Sequence, residues 1–317
     1  MISAFVLSLT LARQAPFDEG WKYAEKFNSQ AMLVSINGKL VFEKYANGGG
    51  EGTSQAMASG SKSFCGVVAA AAATDKLLTY DENVADTFVE WKNDPKKSKI
   101  TVRHLLSLSS GLPVGVRGRD AGEREGWETA KAATAVFEPG EQFAYGPNSF
   151  NIFGSLIEAK LKNESWEQYL DRRIMKPLGI SMFYRGKCAD GKPQLAGGGW
   201  IKPRDWITFG QFVMADGKWK GKQLIDAKLM KELYLPSKAN PGYGMSWWLS
   251  DADEASMMTA KADPSADGFR MAAGAGKQRL YIIPKLKMVA LRMGKVSGAM
   301  RGWSDREFLE LITKSSK

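Results

Sequence analysis

The apolar positions of this chain change period several times, and each change marks an element. Glu19–Phe27 carries an amphipathic helical pattern. Ala31–Ile36 and Lys39–Tyr45 are rich in β-formers and are joined by Asn37-Gly38. A two-residue hairpin turn of type I′ needs positive φ at both central residues, which Asn-Gly supplies, so this segment predicts a hairpin. Gly48-Gly49-Gly50 is a connector, and the Ala- and Val-rich run Ser61–Leu78 reads as a buried helix. Asn151–Leu161 and Ser165–Ile174 are further helices, the second stopped by Pro177-Leu178-Gly179. Gly197-Gly198-Gly199 opens the next stretch, and Pro203–Ala215 is again helical. β-rich runs return at Gln278–Ile283 and Met288–Met293, and Ser304–Thr313 closes the chain as an amphipathic helix.

Strands at both ends with helices between them predict an α+β fold. A lone hairpin has exposed edges and too few strands for stability, so the C-terminal strands are its expected partners. The expected architecture is an antiparallel sheet built from N- and C-terminal strands and flanked by helices. A helical lobe at roughly residues 60–200 is inserted into this single domain of residues 16–317. A site is expected in the cleft between the lobes. Met1–Ala15 is apolar and ends in small residues, like the core of a secretory leader, which predicts export to the periplasm or the medium.

Composition narrows the function classes. The 317 residues are 44% hydrophobic and 25% charged, which suits a packed core and excludes global disorder. No apolar run reaches the ~18–20 residues of a membrane span. The net charge of +10 is spread along the chain, with its densest patch at Lys92, Lys96, Lys97 and Lys99. Neither a nucleic-acid motif nor a basic stripe interleaved with aromatics accompanies it, so a soluble surface is the reading and no nucleic-acid partner is expected. Two cysteines, Cys65 and Cys188, are too few for a disulfide framework or a metal site and are read as structural.

There is one histidine, His104. It stands at the start of a helix-like run beside two leucines and reads as a hydrogen-bonded structural imidazole. Neither G-x-S-x-G nor H-E-x-x-H occurs, nor a phosphate- or dinucleotide-binding glycine motif. What remains is Ser59-Gly60-Ser61-Lys62, the one S-x-x-K in the chain. A spacing of three residues on a helix puts the lysine amine beside the serine hydroxyl, where it can take the serine's proton. A serine at a helix N-terminus also has backbone N–H groups at hand for an oxyanion.

Ala58–Phe64 (ASGSKSF) and Ile100–Pro113 (ITVRHLLSLSSGLP) together resemble two consecutive landmarks of the serine β-lactamase and penicillin-binding-protein family, the class C enzymes and their esterase relatives. Phe137–Gly154 is similar to the family's Y-x-N segment, Tyr169–Gly179 to its helix ending in PLG, and Ala196–Gly210 to its GG–D–FG stretch. Trp219–Leu224, Tyr243–Leu249 and Gly274–Pro284 complete the order, so that the resemblance covers about residues 20–312. It implies Ser59 as the acylated nucleophile, Lys62 as its partner and Tyr145 as a second base. It also implies an oxyanion hole made by the N–H groups of Ser59 and Ala275. No metal or organic cofactor is implied.

This chain departs from the family pattern at three places. Pro147 stands where relatives have the asparagine of Y-x-N, with Asn148 one position later. Leu108-Ser109-Ser110-Gly111 lacks the histidine of its landmark. Ala272-Ala273-Gly274 stands at the third motif without its cation, and neither Arg270 nor Lys277 is at the motif position. The resulting expectation is a serine hydrolase acting through an acyl-enzyme on small ester or amide substrates, more esterase-like than an efficient β-lactamase. Gly274, Ala275 and Asn148 are the expected substrate-binding residues. The alternative is a non-catalytic, penicillin-binding-protein-like module that binds peptidoglycan fragments or a protein.

Overall fold

The computed structural model describes residues 17–116, 124–249, 268–295 and 302–313. The leader expected at residues 1–15 lies outside the described residues. Among the described residues no helix is long and apolar enough to cross a membrane.

The sheet is built as the chain ends require. Strands β1 (Ser29–Ile36) and β2 (Lys39–Tyr45) pair antiparallel through Asn37 and Gly38, both at positive φ. Three C-terminal strands, β8 (Arg270–Gly274), β9 (Gln278–Ile283) and β10 (Met288–Gly294), complete a five-stranded antiparallel sheet in the order β2-β1-β10-β9-β8. In the β1–β10 ladder Leu33 faces Leu291, so the first and last parts of the chain are stitched at the sheet centre.

Both faces of the sheet are covered, which explains why its inner strands are buried almost without alternation. On one face lie helix α1 (residues 17–25) and the C-terminal helix, Asp305–Thr313, with the Tyr281 ring 5.8 Å from Phe308. On the other, α8 (Pro203–Met214) crosses β1, β9 and β10. A Cβ at Gly210 would sit 2.6 Å from Val289 and 3.0 Å from Leu280, so this glycine permits the close crossing. Leu280 and Tyr281 thus serve opposite faces, as successive strand residues must.

The helical part carries α2 (Lys62–Thr74), α3 (Val102–Leu106), α4 (Trp127–Ala132) and α5 (Asn148–Leu161). It continues with α6 (Trp166–Leu170), which passes through a π-turn at Asp171–Met175 into α7 (Lys176–Leu178). α2 is apolar all round, and every residue from Lys62 to Ala72 is buried. The helix predicted to run to Leu78 ends at Thr74, where Asp75 leaves helical geometry and Lys76 takes positive φ. Pro177 does not stop its helix; it enters the first turn of α7, where its missing N–H costs little, and Gly179 at φ 72° ends the run.

A small sheet, β3 (Gln55–Ala56), β5 (Gly199–Ile201) and β4 (Met182–Tyr184), ties the segment before Ser59 to the segment after Gly198. Two-residue strands β6 (Lys218–Trp219) and β7 (Lys222–Gln223) form a hairpin ahead of helix α9 (Ala227–Glu232). With α9 placed, the C-terminal helix Asp305–Thr313 is α10. Strands this short carry no periodic signal, so sequence patterning misses them. Cys65 and Cys188 are buried and unbridged, and burial pushes both thiols up, Cys188 to about 11.

Candidate active site

Ser59 lies in a 3₁₀ turn, Ala58–Ser61, between β3 and α2. Several contacts lock this turn. Ala58 is at φ 47°, a strained setting for a residue with a Cβ. The Met57 N–H donates to the Gly199 carbonyl (3.0 Å), and the Gly199 N–H to Ser61 Oγ (3.1 Å). Gly60 lies against Trp206, whose ring would be 2.8 Å from any added Cβ. Lys62 then opens α2 and is 5% exposed. Its Nζ donates to Ser59 Oγ at 3.1 Å and to the Ala196 carbonyl at 2.7 Å. The S-x-x-K spacing therefore delivers the contact expected of it, with Ala196 holding the lysine from a remote segment.

Tyr145 comes from the loop before α5. Its ring centroid lies 4.7 Å from Lys62 Nζ. The ring packs against Trp248 at 5.6 Å and meets Tyr243 edge-on at 6.5 Å. This aromatic wall holds the Tyr145 ring beside the lysine.

The third motif reaches the site at the C-terminal end of β8. A Cβ at Gly274 would overlap the Met57 carbonyl oxygen and lie 3.1 Å from the Gly60 nitrogen. Only glycine lets the strand end press against the Ser59 turn. Gly274 is thus a contact between backbones, while the next residue, Ala275, is exposed and lines the cleft. Behind the β8–β9 turn, Arg279 donates to the Gly274 carbonyl at 3.1 Å, and Arg292 to the Lys277 carbonyl at 3.0 Å. Arg279 is paired with Asp305 of α10 at 2.8 Å, and both are buried.

Ser59, Lys62, Tyr145 and Ala275 line one cleft of about 410 Å³. Asn148, expected to offer its amide there, is not among the lining residues; it is 1% exposed, with its side chain packed under Gly115. The reason is helical geometry. Pro147 is on the cleft wall, and one residue along a helix turns the side chain by about 100°, away from the cleft. Arg270 stacks over Tyr234 at 3.7 Å and pairs with Asp216 at 3.6 Å, and Lys277 is buried, so neither replaces the missing cation. His104 acts in the N-terminal cap of α3. Its N–H donates to Thr101 Oγ1 and its Nδ1 accepts from the Thr101 N–H, each at 3.2 Å. It borders a separate cavity of about 340 Å³ that does not include Ser59.

The same cleft contains two polar side chains that sequence reasoning missed, Arg124 and Gln194. Both belong to loops between landmarks, and no motif marks them.

A buried lysine on a serine at the N-terminus of an apolar helix, beside an antiparallel sheet made from both chain ends, defines the β-lactamase/transpeptidase-like class of serine-hydrolase folds. The sequence pattern of the Beta-lactamase family matches residues 17–300, and the chain belongs to that family. An uncharacterised protein of Alkalihalophilus pseudofirmus is 22% identical over 295 residues, covering 86% of each chain. Among solved structures, EstCE1, a hydrolase with promiscuous acyltransferase activity, superposes with a TM-score of 0.72 at 15% identity, over 98% of each chain. A penicillin-binding-protein homologue from Caulobacter crescentus gives 0.68 at 14% identity, over 90% of this chain and 91% of that one.

Proposed function

We propose that this chain hydrolyses small esters through an acyl-enzyme on Ser59. The observation that carries the reading is the 3.1 Å contact between Lys62 Nζ and Ser59 Oγ at the wall of an open cleft. In the first half-reaction Ser59 Oγ bonds to the carbonyl carbon while its proton passes to the Lys62 amine. The negative oxygen is held by the N–H groups of Ser59 and Ala275. The carbon–oxygen bond to the alcohol then breaks, and the alcohol leaves with the proton, relayed through Tyr145. Water repeats the sequence on the acyl-serine, releasing the acid and restoring the hydroxyl.

Esters are favoured over β-lactams because of what the cleft lacks on its β8 side. The third motif offers Ala275 and no cation, and Asn148 is turned away. A substrate carboxylate left without a partner there forfeits about 1.5–3 kcal/mol of charged hydrogen bonding, or roughly 10–150-fold in binding. p-Nitrophenyl butyrate should be hydrolysed measurably and a chromogenic cephalosporin poorly, with Ser59→Ala as the blank. Efficient cephalosporin turnover with negligible esterase activity would overturn the preference. Intact mass after a fluorophosphonate or a labelled penicillin tests the chemistry itself. One adduct on Ser59 supports the enzyme, and no adduct with either electrophile leaves a binding module.

A further inference from the structure

We infer that Arg279 is a positioning residue for ester hydrolysis, holding the peptide between Gly274 and Ala275 so that the Ala275 N–H meets the oxyanion. The inference rests on the proposed acyl-enzyme chemistry and deepens it by naming what sets one of its two oxyanion donors. The Gly274 carbonyl and the Ala275 N–H belong to one planar trans peptide, in which they point in opposite directions. Arg279 Nη1 donates to that carbonyl at 3.1 Å, and Arg279 is 2% exposed. A carbonyl anchored in the interior fixes the plane and turns its N–H away from the interior, while Ala275 lines the cleft with Ser59. A cation on the carbonyl oxygen also polarises the amide and makes its N–H a stronger donor.

The anchor is itself fixed. Arg279 Nε donates to Asp305 Oδ1 at 2.8 Å and Nη2 to Oδ2 at 3.2 Å, while Nη1 goes to the carbonyls of Gly274 and Gln278. Burial opposes the Arg279 charge, and Asp305 more than offsets it. Arg292, its neighbour across the β9–β10 ladder, holds the other side of Ala275. Its Nη1 donates to the Gly276 carbonyl at 2.6 Å and to the Lys277 carbonyl at 3.0 Å, and its Nε to Ser29 Oγ at 2.7 Å. Buried guanidiniums thus grip the carbonyls on both sides of Ala275, which is itself exposed. Desolvating two cations is costly, and both converge on the turn that presents this one N–H.

The test measures p-nitrophenyl butyrate hydrolysis and inhibition by butylboronic acid, which adds to Ser59 Oγ and presents a tetrahedral oxygen to the same donors. Arg279→Lys keeps a charge for Asp305 but loses the planar fork. Arg279→Met/Asp305→Asn removes both charges together, so that neither is left buried and unpaired. Each should lower kcat by about 10–100-fold with KM held within about threefold, and should raise the boronate inhibition constant by a similar factor. Tyr281→Phe removes a hydrogen bond to Asp305 without touching the Gly274 carbonyl, so it should lower the melting temperature and keep both constants. Incomplete folding lowers kcat and leaves the boronate constant unchanged, and that result overturns the inference. Unchanged rates in both Arg279 variants, an equal loss in Tyr281→Phe, or failure of both Arg279 variants to fold also overturn it, while the hydrolase reading stands. Wild-type protein that neither cleaves the ester nor takes an electrophile on Ser59 overturns the hydrolase reading, and this inference with it.

Discussion

In the proposed mechanism the chemistry depends on a single atom, Ser59 Oγ, whose contact to Lys62 Nζ spans one helical turn. Ser59→Ala should abolish ester hydrolysis while thermal melting is retained, because the hydroxyl packs nothing. Lys62→Ala should be nearly as severe, since an unassisted serine hydroxyl is a weak nucleophile at neutral pH. If both variants lose less than tenfold, about 1.4 kcal/mol of barrier, the assignment is wrong. Tyr145→Phe keeps the ring that packs on Trp248 and removes only the hydroxyl. A role in proton relay predicts a fall of about 10²–10⁴-fold in kcat/KM. Unchanged rates would make Tyr145 a packing residue and leave Lys62 as the one base.

Among the elements, the β8–β9 turn is where stability and the proposed catalysis meet. Gly274→Ala forces a methyl into the Met57 carbonyl, and backbone cannot yield there as a flexible side chain would. It should cost about 1–3 kcal/mol of stability and also slow ester hydrolysis, because Ala275 moves with the strand. An unaltered melting temperature and rate would show that β8 shifts freely. The support behind that turn is the pair Arg279–Asp305, joined by hydrogen bonds to Asp305 from Tyr281 and Trp303. Burial by itself would raise the Asp305 carboxyl. The Arg279 charge and these hydrogen bonds outweigh it and hold the group below its ordinary value. With its folded pKa below its unfolded one, its stabilisation is complete above the ordinary carboxylate range and is lost as pH falls through and below it. Asp305→Asn leaves Arg279 buried without its counter-charge. Urea unfolding at neutral pH should show a loss of about 3–5 kcal/mol, and the variant should have a weaker acid-side decline. A loss under about 1 kcal/mol would mean that Arg279 finds other acceptors.

For the whole molecule, local pattern and tertiary assembly divided the information unevenly. The hairpin turn at Asn37-Gly38, the paired C-terminal strands and the apolar helix after Ser59 were legible because turn chemistry and hydrophobic period act over a few residues. Ser59 and Lys62 were legible for the same reason: three residues on one helix need no distant partner to meet. Tyr145 is singled out by its place among ordered landmarks, and no local physics distinguishes it from any other loop aromatic. Tertiary structure alone decided the rest. It brought Ala196 onto Lys62 across 134 positions and pressed Gly274 against Met57. It turned Asn148 under Gly115, because one residue of helical rotation reverses what a linear motif suggests. It also placed Arg124 and Gln194 in the cleft from loops without periodicity. Contacts within a turn are set by the chain's own geometry. Those between loops depend on how the lobes pack, so the serine and its lysine could be read from the sequence and the surrounding cleft could not.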